Sequence, residues 1–215
     1  MAKRRKVNNM LGLAVLATVI ERPMHPYEMA SLVRARGKDD DMRIKWGSLY
    51  TVVRNLEKHG FLEVAGSDKE GGHPERTIYR ITDAGRQEYA DWVRDLLATP
   101  EREQSAFKAA LSVWGILTPD EVTSLLRGRV ALLEKELADQ RAALNGHLSE
   151  IPRLFLVEAE YDLAVREAEL AWTRSLLGEL SEGTFPGLDA WRHWHATGEV
   201  PQELHDLFGR GIGAD

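Results

Sequence analysis

Cysteine is absent from the 215 residues, which excludes disulfides, thiolate zinc sites, iron–sulfur clusters and cysteine nucleophiles. No apolar run approaches the ~20 residues that a membrane-spanning helix needs. The motifs of phosphate-binding loops, serine hydrolases and zinc peptidases are also missing, so we expect no catalytic residues, no cofactor and no membrane partner. With 43% apolar and 29% charged residues, the chain is expected to be globular and cytoplasmic rather than disordered.

Charge is unevenly divided along the chain, although the net charge is only −6. Residues 1–98 hold 17 Lys and Arg against 14 Asp and Glu, whereas residues 99–215 hold 11 against 20. The balance changes sign near Thr99-Pro100, a sequence typical of a linker. We therefore expect a domain boundary there, with a basic part that faces an anion and an acidic part that faces protein or solvent.

The N-terminus combines the basic run Lys3-Arg4-Arg5-Lys6 with an apolar stretch from Met10 to Ile20. A secretory signal begins in the same way, but it needs a cleavage site of small residues, and Glu21-Arg22-Pro23 follows instead. We interpret the stretch as a first core helix that ends before Pro23, with a flexible basic arm in front of it. Such an arm is either solvated or in contact with phosphate groups.

Two further helices are expected before residue 60. The second begins at Pro26, a residue suited to the first helical position, and stops at Gly37. The third runs from about Lys45 to His59 and ends at Gly60. Its apolar residues recur at helical spacing and should form the inward face: Leu49, Val52, Val53 and Leu56.

A hairpin and a fourth helix follow. Two β-like runs, 61–64 and 76–81, flank a long polar and glycine-rich tip, and Thr82 is placed to cap the next helix. Three helices followed by a two-stranded ribbon is the order of a winged helix-turn-helix. In that fold the third helix enters the major groove of DNA and the hairpin lies along the backbone.

The outward face of the third helix is polar and basic, as a groove-reading helix requires. We predict that DNA is contacted by residues of this helix and of the hairpin, namely Lys45, Trp46, Ser48, Tyr50, Thr51, Arg54, His73 and Arg76. The alternative is a winged-helix and coiled-coil module that binds protein and not DNA. Such a module has no need of basic groups on both the third helix and the hairpin.

Several stretches resemble the PadR family of bacterial transcriptional regulators, and specifically its larger subfamily with a long helical C-terminal domain. They are Pro23–Met29, Trp46–Gly60, His73–Arg86 and Phe107–Ser112. The family more often has Gly where Pro26 stands and Arg where His73 stands. The resemblance implies a dimeric repressor that binds a palindromic operator as a homodimer and is released by a small aromatic or drug-like effector.

The overall prediction is a mainly α protein: a winged helix-turn-helix domain with a basic arm over 1–98, a helical dimerisation domain over 99–180, and a partly helical tail over 181–215. A short helix (about Arg102 to Trp114) and two long ones (Thr118 to about Leu148, and Pro152 to about Leu180) are expected after the boundary. The first long helix has a heptad seam. That seam suits either the next helix of the same chain or a second subunit.

The second long helix is apolar on two opposite faces. One stripe consists of Leu156, Leu163, Leu170 and Leu177; the other consists of Leu154, Val157, Tyr161, Ala164, Ala168, Ala171, Trp172 and Ser175. A helix that is apolar on two faces must be covered twice, and a second subunit is the economical cover.

Two other groups of residues invite a ligand interpretation. Trp114 and Trp172 are candidates to flank an effector pocket between subunits. His193, His195 and His205 could suggest a metal site, but without thiolate or carboxylate context we interpret them as a surface tail and expect no metal.

Overall fold

The computed structural model describes residues 5–37, 42, 44–68, 76–100 and 105–199. The chain divides into two compact units with the boundary between residues 103 and 104. The described residues are mostly helical, with a single two-stranded sheet, which confirms the predicted mainly α class. None of the described helices is long and apolar enough to cross a bilayer.

The first unit has the predicted order of a winged helix-turn-helix. A 3-10 turn over Trp46–Ser48 precedes its third helix. Its elements are α1 (Met10–Val19), α2 (Pro26–Ala35), α3 (Leu49–Lys58), β1 (Leu62–Asp68), β2 (Arg76–Ile81) and α4 (Asp83–Ala98).

Side-chain caps define where the helices of this unit begin. Asn9 accepts a hydrogen bond from the Leu11 N–H at the start of α1. His25 and Glu28 form a capping box at the start of α2, where Pro26 occupies the first turn. The hydroxyl of Thr82 accepts from the Gly85 N–H (3.0 Å), so the predicted cap of α4 is confirmed.

The core of the first unit is built on the inward face of α3. The four predicted inward residues of α3 are all buried. They belong to one apolar cluster with Leu11, Val15 and Leu16 of α1 and Met29 of α2. Because α3 has its apolar residues on this side only, its opposite side is left to solvent.

The hairpin is tied to the helix-turn-helix at its base. β1 and β2 are antiparallel, with Leu62 opposite Ile81, and a bulge interrupts the ladder between Val64 and Gly66. β1 extends beyond the predicted 61–64 to Asp68. Met24 and Tyr79 exchange two backbone hydrogen bonds of 3.0 and 3.1 Å, so the segment before α2 is fixed against β2.

The second unit is entirely helical over its described residues. Its elements are α5 (Ala106–Leu111), α6 (Pro119–Leu148), α7 (Val157–Glu182) and α8 (Leu188–Thr197), with 3-10 turns over Trp114–Ile116 and Arg153–Phe155. α6 begins next to Thr118, where the sequence predicts the helix to start, and the Thr118 hydroxyl caps it by accepting from the Glu121 N–H.

α6 and α7 form an antiparallel pair. Leu126, early in α6, clusters with Leu176 and Leu180, late in α7. Further along α6, Leu133 and Leu137 cluster with Leu170. The heptad seam of α6 is therefore covered within the chain, which is the first of the two alternatives left open by its periodicity.

α8 packs into the core of the second unit. Leu188 and Trp191 are buried in the same cluster as Leu126. The indole Nε1 of Trp191 donates to the carbonyl oxygen of Leu117 (3.1 Å). The partly helical tail expected over 181–215 thus contains a packed helix, and its residues 200–215 lie outside the described part of the chain.

Candidate nucleic-acid interface

Three exposed cationic side chains of the first unit are available to bind an external anion. Lys45 precedes α3, Arg54 lies on the exposed side of α3, and Arg76 opens β2. All three are exposed, and none forms an ion pair with another residue in the described part of the chain. Arg22 and Arg80, by contrast, are paired with Glu28 and Glu63.

Tyr50 and Thr51 extend the exposed side of α3. The Tyr50 ring is 55% exposed, and it meets the His25 ring edge-on with centroids 6.3 Å apart. These positions agree with the predicted outward face. A polar, basic surface on one side of an otherwise well-packed helix is suited to the donors and acceptors of a DNA groove.

Trp46 and Ser48, the other two predicted DNA contacts near the start of α3, are half-buried, so they expose less surface than Lys45 and Arg54. Trp46 packs against the core, and the guanidinium of Arg34 lies 4.5 Å from its ring centre. The Ser48 hydroxyl donates to the Lys45 carbonyl oxygen (3.1 Å). Both residues belong to the 3-10 turn, where the α-helical spacing assumed from Lys45 onward does not apply.

His25 belongs to this surface, although no motif in the sequence singled it out for DNA binding. Burial, and secondly the positive charge of Arg76, lower the pKa of His25, while Glu28 opposes the shift. Arg76 is therefore close enough to affect the electrostatic environment of His25 at the start of α2. His73, the other predicted wing residue, lies outside the described residues. The sequence signal for His25 is a polar residue directly before the helix-initiating Pro26.

Arg5 has a structural partner that the sequence did not reveal. Its guanidinium is paired with Glu88 (2.7 Å) and with Asp95, and it lies 5.4 Å from the ring centre of Trp92. Arg5 therefore holds the N-terminal segment against α4. It does not belong to the flexible arm that the sequence predicts. Residues 1–4 lie outside the described part of the chain.

The two tryptophans predicted to flank an effector pocket lie in different aromatic contacts of the second unit. Trp114 packs against Phe185 and Trp191, with centroids 5.9 and 5.2 Å apart. Trp172 is half-exposed and meets Phe107 at 6.0 Å. A cleft of about 310 Å³ opens elsewhere in this unit, lined by Thr118, Pro119, Asp120, Arg192, His195 and Ala196.

The histidines considered for a metal are placed in or beyond α8. The Nε2 atom of His195 lies 3.0 Å from the Gly115 carbonyl oxygen, and His193 is exposed. Over the described residues, no three His, Asp or Glu side chains come together as a metal site would require. His205 lies outside those residues.

Residues 15–91 match the transcriptional regulator PadR-like family. No curated protein matches the chain significantly. The crystal structure of Bacillus subtilis PadR in complex with operator DNA is similar, with a TM-score of 0.65 and 19% identity over 79% of this chain and 98% of that chain.

Two other solved structures show the same architecture. Bacillus subtilis PadR in complex with p-coumaric acid has a TM-score of 0.66 and 18% identity, over 80% of this chain and 99% of that one. The Vibrio cholerae virulence activator AphA has a TM-score of 0.59 and 18% identity, over 80% and 98%. The stretch that matches the PadR-like family of transcriptional regulators, residues 15–91, therefore lies in the winged-helix unit, and the described residues beyond that unit form a long helical C-terminal unit.

Proposed function

We propose that the protein is a cytoplasmic transcriptional repressor that binds a palindromic operator as a homodimer. α3 enters the major groove, and the hairpin lies along the adjacent backbone. The observation that carries this proposal is a group of three exposed cations without an acidic partner among the described residues: Lys45 before α3, Arg54 on α3 and Arg76 at the start of β2. Phosphate groups are the natural partners of such cations.

The exposed stripe of α7 supports a homodimer. The stripe with Leu163 and Leu170 packs against α6, whereas the opposite stripe is largely exposed among the described residues. Within α7, Val157 is 49% exposed, Tyr161 65% and Trp172 49%. Such a row of large apolar side chains is typical of an interface. A second copy of the chain would cover it, and its two-fold symmetry would match a palindromic operator.

Release by a small aromatic or drug-like effector is a further part of the proposal. The support is the aromatic character of the second unit and the similarity to Bacillus subtilis PadR, which was crystallised with p-coumaric acid. Trp114 and Trp172 remain the candidates for the effector pocket. Differential affinity of the effector for the free and the DNA-bound protein would be the driving force of release.

The test compares three single substitutions in the full chain. Arg54→Ala and Lys45→Ala each remove a cation of the proposed surface, and Arg94→Ala removes an equal charge from α4, where Arg94 is paired with Asp91. The probe is the duplex immediately upstream of the protein's own gene, titrated at several salt concentrations. A lost phosphate contact should lower the salt slope by ~1, and a lost base contact should cost ~1–3 kcal/mol at one operator position.

The same experiment separates DNA binding from the alternative, a winged-helix and coiled-coil module that binds protein. Arg54→Ala and Lys45→Ala should weaken duplex binding and leave thermal unfolding unchanged, since both side chains are exposed. The Arg94→Ala variant should bind like the wild type. Equal affinity of all four proteins, or no preference of the wild type for the upstream duplex over an unrelated one, would refute the proposal.

A further inference from the structure

His25 connects three elements of the proposed DNA-binding surface. Its ring Nδ1 accepts a hydrogen bond from the Tyr27 N–H (3.1 Å) at the start of α2, and its backbone N–H donates to the Glu28 carboxylate (3.0 Å). Its ring meets Tyr50 of α3 at an interplanar angle of 62°. Its electrostatic environment includes Arg76 at the start of β2. His25 is thus placed where α2, the recognition helix and the wing converge.

The hydrogen bond to Nδ1 defines the state of the imidazole. An imidazole nitrogen that accepts a hydrogen bond carries no proton, so the ring is neutral and its proton is on Nε2. Burial and the charge of Arg76 lower the pKa of His25 below its ordinary value of ~6.5, against the opposing charge of Glu28. The imidazole is therefore neutral at neutral pH, and the cap of α2 is intact.

Protonation would break this arrangement. In the imidazolium form both ring nitrogens are donors, so Nδ1–H would face the Tyr27 N–H and the cap would be lost. The ring would have to turn away from the helix, and Tyr50 would lose the edge that it packs against. The charged groups that surround the ring are Arg76 from β2 and Glu28 from α2, and Glu28 is itself paired with Arg22.

We propose that His25 is a positioning residue that holds Tyr50 in its DNA-binding orientation, and that tight operator binding requires the neutral imidazole. This proposal rests on the DNA-binding function proposed above. It predicts that acidification weakens binding, by at most about tenfold per pH unit once the pH is below the pKa of His25, since one proton must be released on binding. The opposite sign is expected for a histidine that contacts phosphate directly, because phosphate favours the protonated form.

The binding arm of the test compares wild type with His25→Asn on the upstream duplex, at constant ionic strength, from about pH 7.5 to about pH 5.5. Asn is a good capping residue and does not titrate, but it lacks the ring that packs against Tyr50. The variant should therefore bind more weakly than the wild type at neutral pH, without the wild type's further loss of affinity on acidification. As the pH falls, the wild type should lose affinity relative to the variant. Any other group that titrates in both proteins contributes equally and cancels in the ratio. A ratio that is independent of pH, or one that moves in the opposite direction, would overturn the proposal.

The second arm needs no DNA. In the free full-length protein, the ring resonances of Tyr50 should shift with the same midpoint as those of His25 when the pH is lowered. Tyr50 resonances that do not follow His25 would overturn the positioning role, whether or not the protein binds the duplex. Coupled titration without any preference for the upstream duplex would instead refute the proposed function, and with it the DNA-dependent half of this proposal.

Discussion

Replacing Tyr161 with Ala should weaken the proposed dimer without damaging the fold of the subunit. The side chain is 65% exposed on the open stripe of α7. Complete burial of a large apolar side chain contributes ~1.5–3 kcal/mol, so covering this exposed fraction should contribute ~1–2 kcal/mol per subunit. In a two-fold dimer the loss counts twice, ~2–4 kcal/mol, which is roughly 30-fold to 1,000-fold in the dissociation constant.

Sedimentation equilibrium over a range of protein concentrations measures this constant. Asp162→Ala is the matched control, because Asp162 is the next residue of α7 and is also exposed, but lies beside the open stripe. It should leave the dimer unchanged, and both variants should unfold at the wild-type denaturant concentration. A Tyr161→Ala variant with the wild-type dissociation constant, or a wild-type protein that is monomeric at micromolar concentration, would show that a second copy does not cover the stripe.

Three other substitutions test different parts of the structure. Gly85→Ala should destabilise the first unit by ~1–3 kcal/mol or more in urea unfolding, because a Cβ there would lie 2.1 Å from the Phe61 carbonyl oxygen; an unaffected midpoint would contradict this packing. Trp191→Ala should cost the second unit ~3–5 kcal/mol, since it removes a buried indole and its hydrogen bond to Leu117. Ala168→Phe should leave the subunit stable, because Ala168 is exposed. It should weaken dimerisation as measured by sedimentation. Loss of the folded subunit would mean that this face of α7 is already packed.

The elements that could be predicted from the sequence are those with local causes. Thr82 and Thr118 cap α4 and α6 through hydrogen bonds to residues three positions away, and α2 begins at Pro26. The same holds for the inward face of α3, since it depends only on helical spacing. Helical spacing does not extend to the start of α3, where a 3-10 turn over Trp46–Ser48 leaves two predicted DNA contacts half-buried.

Features that depend on distant residues could not be predicted. Arg5 is read from the sequence as part of a basic arm, but its partner Glu88 is 83 positions away. Trp191 looks like part of a weak helical patch, yet its hydrogen-bond partner Leu117 is 74 positions away. His25 is recognised as part of the surface only when α3 and β2 have been brought beside it. In each case the partner is set by tertiary packing and not by spacing along the chain.

A nuclease footprint on the DNA upstream of the protein's own gene tests the central claim most directly. If the full-length protein binds as the proposed dimer, it should protect two half-sites related by two-fold symmetry, with centres about one helical turn, ~34–36 Å, or a multiple of it apart. Arg54→Ala should require a higher protein concentration for the same protection, and Arg94→Ala should not. Protection that is no stronger than on an unrelated duplex, with the wild-type protein folded and dimeric, would contradict the assignment of α3 and the hairpin to DNA.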